Sequence, residues 1–262
     1  MNFTDNEIES FLKGIYNGSI TAYDIPQDFY FAIADYLKRG VFDGFGNNLK
    51  TVSSNDLELL TSLTENIYMF SAAKSYTELK DMSSLLVQDG KMVSWSQFYT
   101  EAKQRFDIYN VDYAKTEYRT AVGQAQMAAQ WNEIERTKDI IPYLRYSAIM
   151  DPNTSTICAP LDGIVAKVDD PIWDKIAPLN HFNCRCVLTQ EYTGTPTEDR
   201  AELAKGVESQ MQDVFKHNSG RDGMIYPKSH PYFDVPPKDK DYAKRNFDLP
   251  IPIDNETQNE TE

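Results

Sequence analysis

All three cysteines of this chain, Cys158, Cys184 and Cys186, fall in one short stretch, and one of only three histidines, His181, lies among them. The spacing His181-x-x-Cys184-x-Cys186 puts a nitrogen and two sulfurs within one turn and strand start, and Cys158 can supply a fourth donor from a separate loop. Three thiolates and one imidazole form a closed, structural type of zinc site, with Zn–S near about 2.3 Å and Zn–N near about 2.0 Å. Ligand softness selects zinc over magnesium or calcium. Residues two apart in a strand share a face, so Cys184 and Cys186 can both point at one ion if the alternation holds. The metal set predicted from spacing is therefore Cys158, His181, Cys184 and Cys186, holding a structural zinc that clips a proline-bearing segment.

Other chemistry is weaker. The cysteines could instead be small buried hydrophobes, or two could form a redox pair, although an odd cysteine count in a reducing compartment disfavours a disulfide. A catalytic zinc keeps an open position and a neighbouring acid or base, and no glutamate accompanies Cys158 or His181. Asp169, Asp170 and Asp174 could suggest a hard-metal site, but acids beside Pro171 fit a turn or cap better. His217 and His230 flank a glycine-bearing stretch with Asn218; without a nuclease-like context they read as surface histidines. No phosphate-cradling glycine loop is present. No catalytic residue is assigned, and the expectation is a protein that is not an enzyme.

These residues must be positioned by a fold, and 262 residues with 41% hydrophobic content can bury a real core. Lys and Arg total 26 against 40 Asp and Glu, a net charge of −14 that opposes general attraction to nucleic acid or anionic lipid. With no long apolar run and no basic, apolar leader at its start, the chain is expected to remain in the cytoplasm and to make no membrane contact.

The first half reads as helical. Ile8, Phe11, Leu12, Ile15 and Tyr16 share one helix face behind a Thr4/Glu7 capping box, with Gly18 as a stop. A second helix is expected over Gln27 to Arg39, ending at Gly40 before a packed connector, Val41 to Gly46. Leu57, Leu60, Leu63, Ile67 and Phe70 continue the helical period until Asp89-Gly90, Ser94 with Gln97 opens a further helix, and the alanine-rich stretch from Asp112 to about Lys138 makes a long one. The pattern then changes. Tyr143 to Ile149, Ile164 to Val168 and Cys186 to Leu188 suggest short strands, and Thr197 a cap for a helix carrying Leu203, Val207, Met211 and Val214. The polar stretch Asp254 to Glu262 suggests a disordered tail. The fold class is α+β: a helical N-terminal half followed by a small α/β module with short strands and a zinc clip.

The order Tyr146, Asp151, Cys158, Leu161-Asp162-Gly163, Asp170-Pro171-Ile172-Trp173, Pro178, His181-Phe182-Asn183-Cys184-Arg185-Cys186 resembles the Mu F-like minor head, or head morphogenesis, family of tailed bacteriophages. Thr116-Glu117-Tyr118 before the alanine-rich helix with Trp131, and Gly223 to Pro227 with His230 to Phe233, are similar to its flanks, so the likeness covers roughly 110–235 and is strongest over 142–188. It implies three parts: 1–108 helical and docking, 109–235 the head morphogenesis module, and 236–262 an extended acidic tail. It further implies a minor capsid protein inside the head, acting in procapsid assembly, DNA packaging or genome delivery. Its expected partner is the portal protein, with scaffold or major capsid protein next and packaged DNA a weaker one for an acidic chain. Its places would be the host cytoplasm during assembly and then the virion interior. A zinc hydrolase or nuclease, or an effector module of a prophage or secretion cassette, are the competing functions.

Overall fold

A computed structural model describes residues 1, 3–46, 53–239 and 241. It is a mixed fold, helical in its N-terminal half, with two small antiparallel sheets. The expected disordered tail, Asp254 to Glu262, lies outside the described residues. Two compact units can be separated: one holds Met1–Tyr36, Ile67–Lys115 and the described residues from Lys228 on, the other Leu37–Asn66 and Thr116–Pro227.

In the first unit, α1 (Asp5–Tyr16) opens on the expected capping box: the Glu7 amide donates to Thr4 Oγ1 at 3.3 Å and the Thr4 amide to Glu7 Oε2 at 2.7 Å. Helix α2 (Gln27–Phe45) starts here, as does the C-terminal part of α3 (Ser54–Ser84). From Phe70 to Tyr76 every residue of α3 is buried, so this helix is covered all round. Two of its buried polar side chains are held across the unit: Lys74 Nζ donates to the Tyr109 carbonyl at 2.8 Å, and Glu78 Oε1 accepts from Asn110 Nδ2 at 2.5 Å. Asp89 and Gly90, both at positive φ, turn the hairpin β1 (Val87–Gln88) and β2 (Lys91–Met92). Ser94 then caps α4 (Trp95–Asp107) by accepting from the Gln97 amide, and a π-helical turn, Ile108–Tyr113, follows. Near the end of the described chain, Asp239 accepts from Tyr76 at 2.6 Å and from Tyr23 at 2.9 Å, with Lys80 at 3.2 Å.

In the second unit, α5 (Ala114–Thr137) lies against a sheet of order β4-β3-β5, where β3 is Tyr143–Ser147, β4 Val165–Lys167 and β5 Val187–Glu191. Leu144 and Tyr146 point inward from β3, and with Ala166 and Leu188 they join Met127, Trp131 and Ile134 of α5 in one core. That core also takes Ile172, Trp173 and Ile176 from around α6 (Trp173–Ile176), and Ala204 and Val207 from α7 (Arg200–Glu208). The strands therefore appear where the alternation placed them, with shifted ends.

Three expectations are corrected. Helix α2 does not stop at Gly40 but runs on to Phe45, so Val41 to Phe45 is helix rather than connector. The reason is close approach to α5: a Cβ on Gly40 would stand 3.0 Å from the Tyr118 carbonyl oxygen, and one on Gly44 only 2.1 Å from that of Val122. Thr197 does not cap α7. Its hydroxyl accepts from the Val165 amide at 3.0 Å, and its own amide donates to the Val165 carbonyl at 2.9 Å, sealing the free edge of β4. Met211 and Val214 fall beyond the end of α7, although Met211 is still buried in the same core.

Candidate metal centre

Three elements bring the candidate donors together. Cys158 precedes a single 3-10 turn, Ala159–Leu161, and its amide is fixed by Ser155 Oγ at 3.1 Å. Gly163, at positive φ as the Leu161-Asp162-Gly163 turn requires, returns the chain to β3 by donating its amide to the Tyr146 carbonyl at 2.9 Å. His181, Cys184 and Cys186 occupy the turn before β5, closed by the Cys184 amide donating to the His181 carbonyl at 3.1 Å with Asn183 at positive φ. Neither Cys184 nor Cys186 is in the strand itself, so a turn, not strand alternation, aims them.

The ligand atoms of Cys158, His181 and Cys184 lie within 4.8 Å of one another. Cys186 is outside that mutual set, yet its thiol interacts with Cys158, Cys184 and Tyr146. The three cysteines are free and at most 9% exposed. Cys158 and Cys184 have sulfurs 3.7 Å apart, far longer than a disulfide; four ligands placed tetrahedrally at Zn–S distances require sulfurs about 3.8 Å apart. His181 Nδ1 stands 2.8 Å from the Phe182 carbonyl and so carries the proton, which leaves Nε2 for the sulfurs. A hollow of about 30 Å³ bordered by Cys158, His181 and Cys186 has room for a single ion or water.

Electrostatics fit the same picture. The Cys184 and Cys186 thiols, followed by His181, hold the Cys158 thiol far below its usual range, and its negative charge in turn pushes the other two thiols and His181 upward. Burial raises the Tyr146 phenol, keeping it a donor, and its hydroxyl reaches Cys158 Sγ at 3.5 Å while accepting from Asn180 Nδ2 at 2.9 Å. Outside, Arg185 makes a two-pronged pair with Asp151 at 2.7 and 2.8 Å, which brings the Asp151 carboxyl down to about 2. The sequence assigns these supporting groups no role at the site: Tyr146, Asp151 and Arg185 stand in it only as members of the motif, Tyr146 also within a strand candidate, and Asn180 carries no signal.

The remaining candidates resolve into structural roles. Asp170 accepts from the Ile172 amide at 3.0 Å and from Arg200 at 2.8 Å, Asp169 pairs with Lys138, and Asp174 with Arg221, so each acid faces a cation. Contrary to expectation His217 is not a surface residue, while His230 is partly exposed. His217 is buried, with Nδ1 2.8 Å from Asp222 and Nε2 3.3 Å from the Gln124 amide nitrogen. His230 packs its ring 4.8 Å from that of Phe70 and accepts from the Tyr232 amide. The stretch between them is ordered by the short helix α8 (Ser219–Asp222), capped by Asn218 and ended by Gly223 at positive φ. Among the described residues, Cys158, His181 and Cys184 form the one cluster suited to a metal.

Residues 86–189 match the family described as Phage Mu protein F like protein. This part of the chain is similar to that family. Over 79 residues, 30% of this chain and 16% of the relative, it is 39% identical to the protein named putative capsid assembly protein F of Escherichia phage Mu. Over 92 residues, 35% of this chain and 22% of the relative, it is 36% identical to the Mu-like prophage FluMu F protein of Haemophilus influenzae. The matched stretch thus spans less than a quarter of either curated relative. No solved structure matches. The Mu F-like segment begins earlier than the motif likeness, at the β1–β2 hairpin, and ends within β5, so the Gly223 to Phe233 flank lies outside it. All four candidate donors, with Tyr146, Asn180, Asp151 and Arg185, lie inside it. No helix of the described residues is long and apolar enough to cross a membrane.

Proposed function

We propose that this chain is a minor head protein of a tailed phage, internal to the head and associated with the portal, acting in procapsid assembly, DNA packaging or genome delivery without catalysis. The observation that carries this is the 39% identity, over 79 residues, to a putative capsid assembly protein. Residues 1–108 serve as the docking half, 109–235 as the Mu F-like module and 236–262 as an acidic tail. The portal is the principal partner, with scaffold or major capsid protein next, packaged DNA a weaker one and no membrane; the acidic charge of −14 supports protein partners over DNA. The protein works in the host cytoplasm during assembly and in the virion interior afterwards.

Within the module, Cys158, His181, Cys184 and Cys186 hold one structural zinc. Burial, soft donors, the 3.7 Å sulfur separation and a one-atom hollow support that use. Two measurements test the proposal. Mass spectrometry of purified virions and procapsids should find the protein at low copy beside the portal; absence from both refutes the head assignment. Metal analysis should find about one zinc per chain, lost in Cys184→Ser; a metal-free wild type, or a variant that keeps its zinc, refutes the site.

A further inference from the structure

The first unit carries a half-open groove of about 410 Å³ between the start of α1, the start of α2 and the end of α4. Its floor is aromatic: Phe11 and Phe29 have ring centroids 4.4 Å apart, Phe3 and Phe106 5.3 Å, and Phe3 and Phe29 5.9 Å. Its rim carries two carboxylates, Glu7 and Asp28, and no lysine, arginine or histidine lines it. Neither acid is neutralised. Among the described residues Asp28 has no hydrogen bond or ion pair, and Glu7 only accepts from Thr4, which holds its carboxyl below the usual range and so keeps it charged.

We infer that this groove seats a segment of a partner protein in which an aromatic or branched aliphatic side chain is flanked by lysine or arginine. The volume falls in the range of pockets that bury a ligand's apolar part, and four phenylalanines offer such a side chain what core packing offers it. The uncompensated carboxylates select basic flanks, by attraction and by repelling anionic alternatives. Anionic polymers such as nucleic acid are excluded by the same rim. The inference rests on placing docking in the helical half, and it adds where the contact lies and what chemistry it reads.

The test uses the full chain and two fluorescein-labelled amphipathic peptides with identical leucine and phenylalanine positions, one filled with lysine and the other with glutamate. The lysine peptide should bind at least about tenfold more tightly, with an affinity that falls as salt rises. Ala32→Trp fills the groove without changing charge and should cost about tenfold or more. Ser10→Trp, at an exposed position on the same rim, provides a second plug should the first disturb folding, which circular dichroism reports. Glu7→Gln with Asp28→Asn keeps a capping-box residue but should weaken binding severalfold and flatten its salt dependence. Unchanged binding in the folded plug variants, or equal binding of the glutamate peptide, overturns the inference. Absence from virions would instead remove the head assignment, and the peptide measurement would still stand.

Discussion

Adding one methyl group to each of three helical glycines should change stability in opposite directions. Gly206 lies exposed in α7 with nothing within 4 Å of an added Cβ, so Gly206→Ala brings only the propensity gain, roughly 0.5–1 kcal/mol. At Gly40 the new Cβ meets the Tyr118 carbonyl oxygen at 3.0 Å and Ala121 Cβ at 3.2 Å, contacts that need a few tenths of an ångström of relief, and gain and cost should nearly cancel. At Gly44 it meets the Val122 carbonyl oxygen at 2.1 Å and Ala125 Cβ at 2.9 Å. Backbone cannot rotate away as a side chain can, so α2 must move off α5 by about 1 Å, and overpacking of that kind costs about 1–3 kcal/mol beyond the propensity gain. In a chain of this size each kcal/mol moves the melting temperature by roughly 2–4 °C. Calorimetry and urea unfolding should therefore rank Gly206→Ala above wild type, Gly40→Ala near it and Gly44→Ala several degrees below. If Gly44→Ala melts at or above wild type, the two helices are not in backbone contact and the reasoning from close approach fails.

Tyr146→Phe removes the hydroxyl that joins Asn180 to Cys158, leaving buried polar groups short of a partner at a cost of about 1–3 kcal/mol. It should also lower zinc affinity about 10–100-fold in a competition titration against a chromophoric chelator; an affinity within about twofold of wild type would show that the hydroxyl supports nothing. His230 is held down to about 4 by burial and then by Lys74, against an ordinary value near 6.5. Because the folded value is the lower one, the unfolded chain binds the extra proton between these limits, so stability should be full above about pH 6.5 and fall as pH drops towards 4, by roughly 3 kcal/mol. Urea midpoints measured across that range should lose part of this slope in His230→Gln, and an unchanged slope would exclude His230 as its source.

Local hydrogen-bond grammar was legible in the sequence, since its partners sit a few residues apart: the Thr4/Glu7 box, the Ser94 cap and the Asp89-Gly90 turn all form as their spacing implies. The same holds for the donor cluster, where composition alone is unusual enough to point at chemistry. What failed depends on distant neighbours. Gly40 ends a helix by local preference, but α5, some 80 residues later, gives glycine a packing use inside one. Thr197 has the composition of a cap and is instead claimed by the edge of β4. His217 and His230 looked exposed because their surroundings are rich in glycine and proline, yet Asp222 and the Phe70 ring draw them in. Asn180 is invisible for the same reason, its meaning set by Tyr146 across the core.

The placement of the donors also explains why a metal would serve structure here. Between β3 and β5 the chain runs through 148–186 with only one three-residue strand and two single helical turns, so regular secondary structure covers little of it. Burial of Leu161, Ile164, Ile172, Trp173 and Ile176 ties the middle of this stretch to the core, while its ends, at Cys158 and at His181 to Cys186, meet in the donor cluster. In a chain-entropy estimate, closing a loop of that length is worth between about 3 and 4 kcal/mol, to which metal–ligand bonding adds. Catalysis would need space for a substrate and a proton carrier, and the hollow admits one small species beside sulfurs that are almost wholly covered. A chelator should therefore loosen 148–186 first, seen as faster amide exchange there, while α5 and the helices of the first unit keep their protection.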